Sequence, residues 1–412
     1  MVKTPVHDFL KSYSAGNFTR CHTPGEKGRA FPHDITEIHG ADSLYEYNSR
    51  SIIAESESIA ASLFGAKKTL YSCSGSTLAI QTMLGLIKKS GGSKIAASRH
   101  VHRSFVSAAA LLDLEVDWFY SPVEIKSDAD AVFVTSINYL GETQDIENIV
   151  KICKSFNIPL LADNAHGAYL VFTDRHPLRL GAAMTADSAH KTLPALTGAA
   201  YLHINDLKYT EHAKGLAALF GTSSPSYLIL ESLDLCNAHI GQGFTPAAFE
   251  IVADLKQEIK KLGFSLKESD LLRITVNARE SGFSGFELAR RLRENKVECE
   301  YSDENYTVLL FSTITGEREA KAVKTAFSAI KTKKPLPPLI YPVIKPKRAL
   351  SIREAVFSSG EYRDIKNSVG KICAEIFAPC PPGVPVVMPG EIIGRDEAEL
   401  LGLFDVEKIM VI

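Results

Sequence analysis

The segment Ser188-Ala189-His190-Lys191-Thr192-Leu193-Pro194-Ala195 places one lysine between two hydroxyl side chains and beside an imidazole, with an apolar, glycine-containing run from Ala195 to Tyr201 behind it. A lysine kept for solubility sits among other charges. One drawn partly out of water loses proton affinity and becomes nucleophilic toward an aldehyde, so Lys191 reads as a Schiff-base lysine. Upstream, Ile158-Pro159-Leu160-Leu161-Ala162-Asp163 reads as a buried strand ending in an acid, followed by Asn164-Ala165-His166-Gly167. A carboxylate in that position points toward the crevice where open α/β sheets bind ligands.

Other groups gather around this pair in the sequence pattern. Ser74-Gly75-Ser76-Thr77 lies between a short strand, Thr69 to Cys73, and an apolar helix, Leu78 to Ile87. A helix N-terminus offers unpaired backbone N–H groups and the positive end of its dipole. Gly75, Ser76 and Thr77 therefore suit a phosphate; Ser and Thr are also common N-caps with no ligand, and Lys191 tips the balance toward the phosphate. Arg99-His100-Val101-His102-Arg103-Ser104 follows a strand and contributes two histidines. Thr222-Ser223-Ser224-Pro225-Ser226-Tyr227 reads as a helix start with Pro in its first turn. A metal site built from His102, Asp163, His166 and His190 is set aside, because a lysine among the ligands has no purpose there; no metal is expected.

Lys191 with Asp163 upstream resembles the pyridoxal-phosphate enzymes of the aspartate-aminotransferase fold. More narrowly, the chain is similar to the Orn/Lys/Arg decarboxylase family. The resemblance runs through His22-Thr23-Pro24-Gly25-Glu26-Lys27-Gly28, Asp34-Ile35-Thr36-Glu37, Phe64-Gly65-Ala66, Asp163 to Gly167, Ser188 to Thr192, Pro381-Pro382-Gly383-Val384-Pro385 and Pro389-Gly390-Glu391, in the family's order. It implies pyridoxal 5'-phosphate as cofactor. Lys191 would carry the aldehyde, Asp163 would face the ring nitrogen, His102 would stack on the outer ring face, and Ala165 would leave the ring room. Gly75, Ser76, Thr77, Ser188 and His190 would take the phosphate. The Thr222 segment resembles the one that reaches the phosphate of the neighbouring subunit, which implies a homodimer with its sites at the interface.

The implied reaction is decarboxylation of arginine, lysine or ornithine to agmatine, cadaverine or putrescine, with Lys191 or a nearby histidine returning the proton. The runner-up is an aminotransferase or another lyase on the same scaffold, in which Arg353 of Ser351-Ile352-Arg353-Glu354-Ala355 would pin the substrate carboxylate; a non-catalytic homologue is the third reading. Glu26 and His166 are further candidate substrate contacts. Three positions depart from the family's pattern: Glu26 stands where His usually precedes the Lys, Asn164 where Glu usually follows the Asp, and Cys380 where Tyr usually precedes Pro381. None of them is Lys191 or Asp163, so cofactor binding is expected to survive and substrate choice is where they would act. Glu26 would read a distal ammonium or guanidinium, or simply solvate its segment.

With 412 residues, 46 Lys and Arg against 48 Asp and Glu, and a net charge of -2, the chain has room for two or more domains and gives no electrostatic case for nucleic acid or membrane partners. A small-molecule substrate is the expected partner. Cysteines at 21, 73, 153, 236, 299, 373 and 380 form no CxxC or zinc spacing and suit a reducing compartment. Met1 to Asp8 lacks a signal-peptide core, so a soluble cytoplasmic protein is expected. The longer family members carry an additional N-terminal domain, and an assembly built through it is not expected here.

These groups need a scaffold to converge. Residues 1–50 are polar and turn-rich and read as an arm. From Ser51 the spacing of Ile52, Ile53, Ile59, Ala60, Leu63 and Phe64 predicts a helix that Gly65 stops. Strand-like runs at Lys94 to Ala97, Ala131 to Thr135, Pro159 to Ala162 and Ala199 to Ile204 alternate with helical segments such as Ile146 to Phe156. That alternation predicts an α/β fold, a mostly parallel sheet in a cofactor-binding large domain over 51–243. A smaller α+β C-terminal domain is expected over 244–412, with a Pro- and Lys-rich linker at 331–338. Within it, Ser284-Gly285-Phe286-Glu287 predicts a capping box.

Overall fold

The structure, a computed structural model, describes residues 2–36, 38, 40–41, 44–45, 51–243, 245–376 and 385–412. It divides into two compact units. One comprises Met1–Gly91, Asp145–Pro246 and Ser312–Ile314; the other comprises Gly92–Gln144, Ala247–Phe311 and Thr315–Ile412. The fold class is α/β with mostly parallel strand pairing, as the alternation of elements predicts.

In the first unit, four strands lie in the order Lys68–Ser72, Ala200–Ile204, Met184–Asp187, Leu160–Asp163. Leu161 pairs with Met184 in parallel register, whereas Ala200–Ile204 runs antiparallel to both of its neighbours. Nearly every strand residue is buried, as expected of a sheet covered on both faces. The helix Ile52–Phe64 begins at Ser51, whose side chain accepts from the Ala54 N–H, and ends at Gly65 with φ +73°. That is the helix the spacing predicts, with a left-handed glycine stop. Ile146–Phe156 also appears where its pattern places it.

The first residues of the chain are more ordered than an arm. Pro5–Ala15 is a helix with Val6 and Leu10 fully buried. Its N-terminal N–H groups, from Val6 and His7, donate to Asp234 Oδ2 at 2.9 and 3.0 Å. Asp234 belongs to the helix Tyr227–Ile240, so a carboxylate from another helix satisfies donors that lack an intrahelical partner.

In the second unit, Lys94–Ser98 pairs in parallel with both Glu115–Phe119 and Ala131–Thr135. A separate antiparallel sheet has the order Tyr301–Ser302, Tyr306–Leu310, Arg273–Asn277, Leu266–Lys267. The helices Ala248–Lys261, Gly285–Glu294 and Glu317–Ser328 belong to this unit. Ser284 caps the second of them by accepting the Glu287 N–H at 3.2 Å, while the Glu287 carboxylate turns to Arg291 and Lys333, so only half of the predicted box forms. Residues 331–338 carry no regular element. Toward the C-terminus, Glu361–Asp364 pairs with Lys408–Val411 beside an apolar cluster that includes Ile365, Cys373, Val387, Ile393 and Leu401.

One ion pair in this unit is fully enclosed. Arg99 donates to Glu391 Oε1 at 2.5 Å and to Oε2 at 2.7 Å, with both side chains almost inaccessible. Arg99 also donates to the Pro385 and Val386 carbonyls and lies over the Trp118 ring. Gly390, next to Glu391, has φ +90°, and a Cβ there would collide with the Leu350 carbonyl oxygen. The Pro389-Gly390-Glu391 motif is therefore a structural anchor. Cys380 to Val384 lie outside the described residues.

Candidate active site

Lys191 is positioned by a short strand and a single helical turn. Met184–Asp187 delivers Ser188, and Ala189–Thr192 follows at once. The turn is held on several sides: Leu193 N–H donates to Ala189 O at 2.8 Å and Thr313 N–H to Thr192 O at 2.9 Å. The His190 ring bonds the Ala199 carbonyl through Nδ1 at 3.0 Å. Since a carbonyl only accepts, Nδ1 carries the proton, and His190 can donate through Nε2 only as an imidazolium. Lys191 Nζ lies 3.0 Å from His166 Nε2. His166 is buried and Lys191 partly so.

Asp163 ends the strand Leu160–Asp163 and is 3% exposed. Its Oδ1 accepts the Ala165 N–H at 3.0 Å. Burial pushes its carboxyl up to about 6, against the pull of the Ala165 N–H and the Lys191 charge, and Asp187 adds repulsion. A desolvated acid of this kind is ready to pair with a cation.

The cradle forms at the start of the helix Gly75–Lys89. Ser72 Oγ donates to the Gly75 carbonyl at 2.7 Å and accepts the Ser74 N–H at 3.1 Å, while Gly75 N–H donates to Gly198 O at 2.8 Å. Gly75 has φ +67° with open space around a notional Cβ, so the backbone conformation selects glycine here. Ser74 makes no side-chain cap, which leaves the first-turn N–H groups of Ser76 and Thr77 without intrahelical partners. Ser188 Oγ donates to Ser76 Oγ at 3.0 Å, joining two hydroxyls from distant parts of the chain. Thr222 Oγ1 accepts the Ser224 N–H at 3.1 Å in the turn that leads to Tyr227–Ile240.

A buried network that the sequence does not reveal supports the strand ends. Asn164 Nδ2 donates to Asp187 Oδ2 at 2.7 Å, and His176 Nε2 donates to the same oxygen at 2.9 Å. His176 Nδ1 accepts the Leu178 N–H, which fixes the tautomer for a neutral ring. Burial pushes the Asp187 carboxyl up, yet the His176 ring beside it outweighs that and holds it below the usual value. Asn164 and Asp187 directly adjoin Asp163 and Ser188, so the network fixes both strand ends.

The remaining candidates have local roles on view. Glu26 accepts the Gly28 N–H at 2.5 Å and the Ala30 N–H at 3.0 Å, and the Ala30 bond leads in lowering its pKa. Its carboxylate orders its own segment. In the second unit, His102 is the N-cap of the helix Arg103–Leu112, with Nδ1 accepting the Ser104 N–H at 3.3 Å. Arg353 donates to the Ala110 and Leu111 carbonyls at 3.0 and 3.1 Å and lies over Phe357. A cation at a helix C-terminus is favoured by the dipole and by unpaired carbonyls.

The first unit thus holds a buried carboxylate with a raised pKa, a partly buried lysine paired to a histidine, and an uncapped helix N-terminus with two hydroxyls. These groups fit pyridoxal 5'-phosphate, which needs an anion at its ring nitrogen, an amine at its aldehyde and donors at its phosphate.

Comparison with known proteins agrees. Residues 116–277 match the Orn/Lys/Arg decarboxylase major domain and residues 330–409 the C-terminal domain of the same family. The arginine decarboxylase of Bacillus anthracis is 28% identical, covering 97% of this chain and 92% of its own length; that of Bacillus subtilis is 25% identical, covering 96% and 92%. Among solved structures, a lysine decarboxylase of Francisella novicida superposes with a TM-score of 0.81 at 16% identity, covering 99% of this chain and 81% of its own. Lysine decarboxylase A of Pseudomonas aeruginosa gives 0.79 at 17%, covering 97% and 75%. The two domain matches, in order along the chain, show that this protein belongs to the Orn/Lys/Arg decarboxylase family.

Proposed function

We propose that the protein is a pyridoxal-phosphate-dependent decarboxylase that converts a basic amino acid to its amine. Arginine is the first substrate to test, because curated relatives across nearly the whole length are arginine decarboxylases; lysine and ornithine remain in the set. The observation that carries the proposal is the buried Asp163 carboxylate beside a Lys191 held by His166. When bound, the cofactor supplies an electron sink for the pair left on Cα as the carboxylate departs.

The residues of the chain do the rest. Asp163 would face the ring nitrogen and keep it protonated, which would keep the sink effective. Ser76, Thr77 and Ser188 orient the phosphate through hydroxyl and backbone donors at Gly75–Lys89, and His190 joins them when protonated. Ala165 leaves the ring room. Lys191 would anchor the aldehyde through Nζ and, when free of it, would hold a proton there for delivery to Cα. His166 Nε2 hydrogen-bonds that amine and orients it. The roles of His102 and Thr222 rest on family resemblance alone, as does the homodimer with Thr222 reaching the neighbouring phosphate. Free cysteines among the described residues support a cytoplasmic setting, and no described helix is long and apolar enough to cross a membrane. With an amine product, our reading of its role is polyamine synthesis.

The test is product identification by mass spectrometry after cofactor-loaded protein meets arginine, lysine and ornithine separately, with K191A as control. The amine with CO2 from one substrate is the expected result. A 2-oxo acid, or undiminished turnover by K191A, would overturn the proposal.

A further inference from the structure

Away from the lysine site, three residues distant in sequence converge within the first unit. His7 lies in the first turns of Pro5–Ala15, His33 in the following irregular stretch, and Glu231 on Tyr227–Ile240. Nδ1 of each histidine lies 2.7 Å from the same oxygen, Glu231 Oε1. The ligand-type atoms of all three lie within 4.8 Å of one another. Glu231 is largely buried at 11% side-chain exposure, while the histidines retain 28% and 29%.

We propose that His7, His33 and Glu231 bind one divalent transition-metal ion of the zinc type, tying the N-terminal helix and the stretch after it to Tyr227–Ile240. Two imidazoles and one carboxylate are a three-ligand set that zinc accepts, with a fourth position left for water. An ion about 2.0–2.1 Å from each ligand asks the close pairs to open to about 3.3 Å, a modest swing of three side chains. The partly exposed histidines leave an entry path and room for the water.

The frame around the ligands is already built. Asp234, one turn beyond Glu231, accepts the Val6 and His7 N–H groups through Oδ2 and is bonded to Ser56 Oγ through Oδ1. It therefore fixes the backbone of His7 and is itself too engaged to be a fourth ligand. Such outer-shell support is what orients a metal ligand. The spacing from residue 7 to 33 to 231 carries no sequence signature.

Binding is tested on the full-length protein, free of any histidine tag and metal-stripped, by titration with Co2+ and then Zn2+ at neutral pH, with no amino acid present. The expected result is one equivalent of Co2+ per chain with the absorption of a four-coordinate nitrogen–oxygen site, displaced by Zn2+. H7Q and H33Q should each weaken binding by more than about tenfold, since even outer-shell partners carry about 10–100-fold. Each variant should keep its far-UV circular dichroism, and Zn2+ should raise the melting temperature of the wild type but not of H7Q/H33Q. No stoichiometric binding, or binding equally tight in the folded H7Q/H33Q protein, would overturn the proposal and leave the trio as a hydrogen-bonded clamp. Decarboxylase activity enters neither arm, so this test is independent of the proposed reaction.

Discussion

His166 Nε2 lies 3.0 Å from Lys191 Nζ at a site where the histidine is buried and the lysine only partly exposed. With Lys191 as an ammonium, which only donates, the imidazole accepts through Nε2 and Nδ1 bears the ring proton; with a neutral amine the direction reverses. The contact gives the lysine a defined direction, and we propose a positioning role for His166 rather than a substrate contact.

Replacing His166 separates these roles. H166Q keeps an acceptor near Nζ and should retain more activity than H166F, which removes it. The phenylalanine variant should lose about 10²-fold or more in kcat, the range expected when a proton-transfer group is misplaced. KM for the amino acid should move little in either. A large rise in KM with kcat unchanged would make His166 a substrate contact.

Asp163 gives a pH signature in the cofactor-free protein. Its folded pKa is raised from 3.8 to about 6 by burial, so the folded state holds a proton that the unfolded state releases in between. Its contribution to stability is fully present below about pH 4 and is lost as pH rises through 6. Asp234, also raised to about 6 by burial, acts in the same window. D163N should therefore be more stable than wild type at pH 8 by up to roughly 3 kcal/mol, with the gap closing near pH 4. Urea denaturation across that range checks it, and a gap independent of pH would refute it. Cofactor affinity should fall in the same variant.

Asp163 and Lys191 are legible in the sequence because each adjoins an apolar run that announces burial. The strand Met184–Asp187 that delivers Ser188 is not: Met, Thr, Ala and Asp present neither alternation nor a β-branched run, and only its neighbours make it a strand. The helix Pro5–Ala15 is hidden by the turn-rich residues after it, although Thr4 before Pro5 and Val6 with Leu10 are sound start signals. Contacts such as Asn164 with Asp187, or Glu231 with both histidines, depend on tertiary approach and leave no local trace. Family resemblance, not spacing, placed Ser76 and Ser188 on one ligand, and their 3.0 Å hydroxyl contact is consistent with it.

Asn164 is one of the departures from the family's pattern, and its amide is matched to Asp187. N164A should cost about 1–3 kcal/mol by leaving a buried carboxylate short of a donor. N164D should cost more at pH 7, about 3 kcal/mol or above, because it sets a second carboxylate against Asp187 and near Asp163. Protonation restores a donor, so the N164D deficit should shrink as pH falls. Denaturation midpoints for both variants at pH 5 and 8 test this, and equal deficits at the two pH values would count against it.

The Arg99–Glu391 pair permits a cleaner separation of pair energy from burial cost. E391Q leaves a guanidinium at 1% exposure facing a neutral amide and should lose about 3–5 kcal/mol. R99M strands the Glu391 carboxylate, which also accepts the Met388 N–H, and should cost a similar amount. If the cost comes from the charge left behind, the double variant R99M/E391L should recover much of it, since neither charge remains to be desolvated. Recovery should be incomplete, because the Pro385 and Val386 carbonyls lose a donor and Trp118 loses its cation. A double-mutant cycle by chemical denaturation measures the coupling. Additive losses would mean that the two side chains act independently despite their bidentate contact, and that Pro389-Gly390-Glu391 anchors the segment through Gly390 alone.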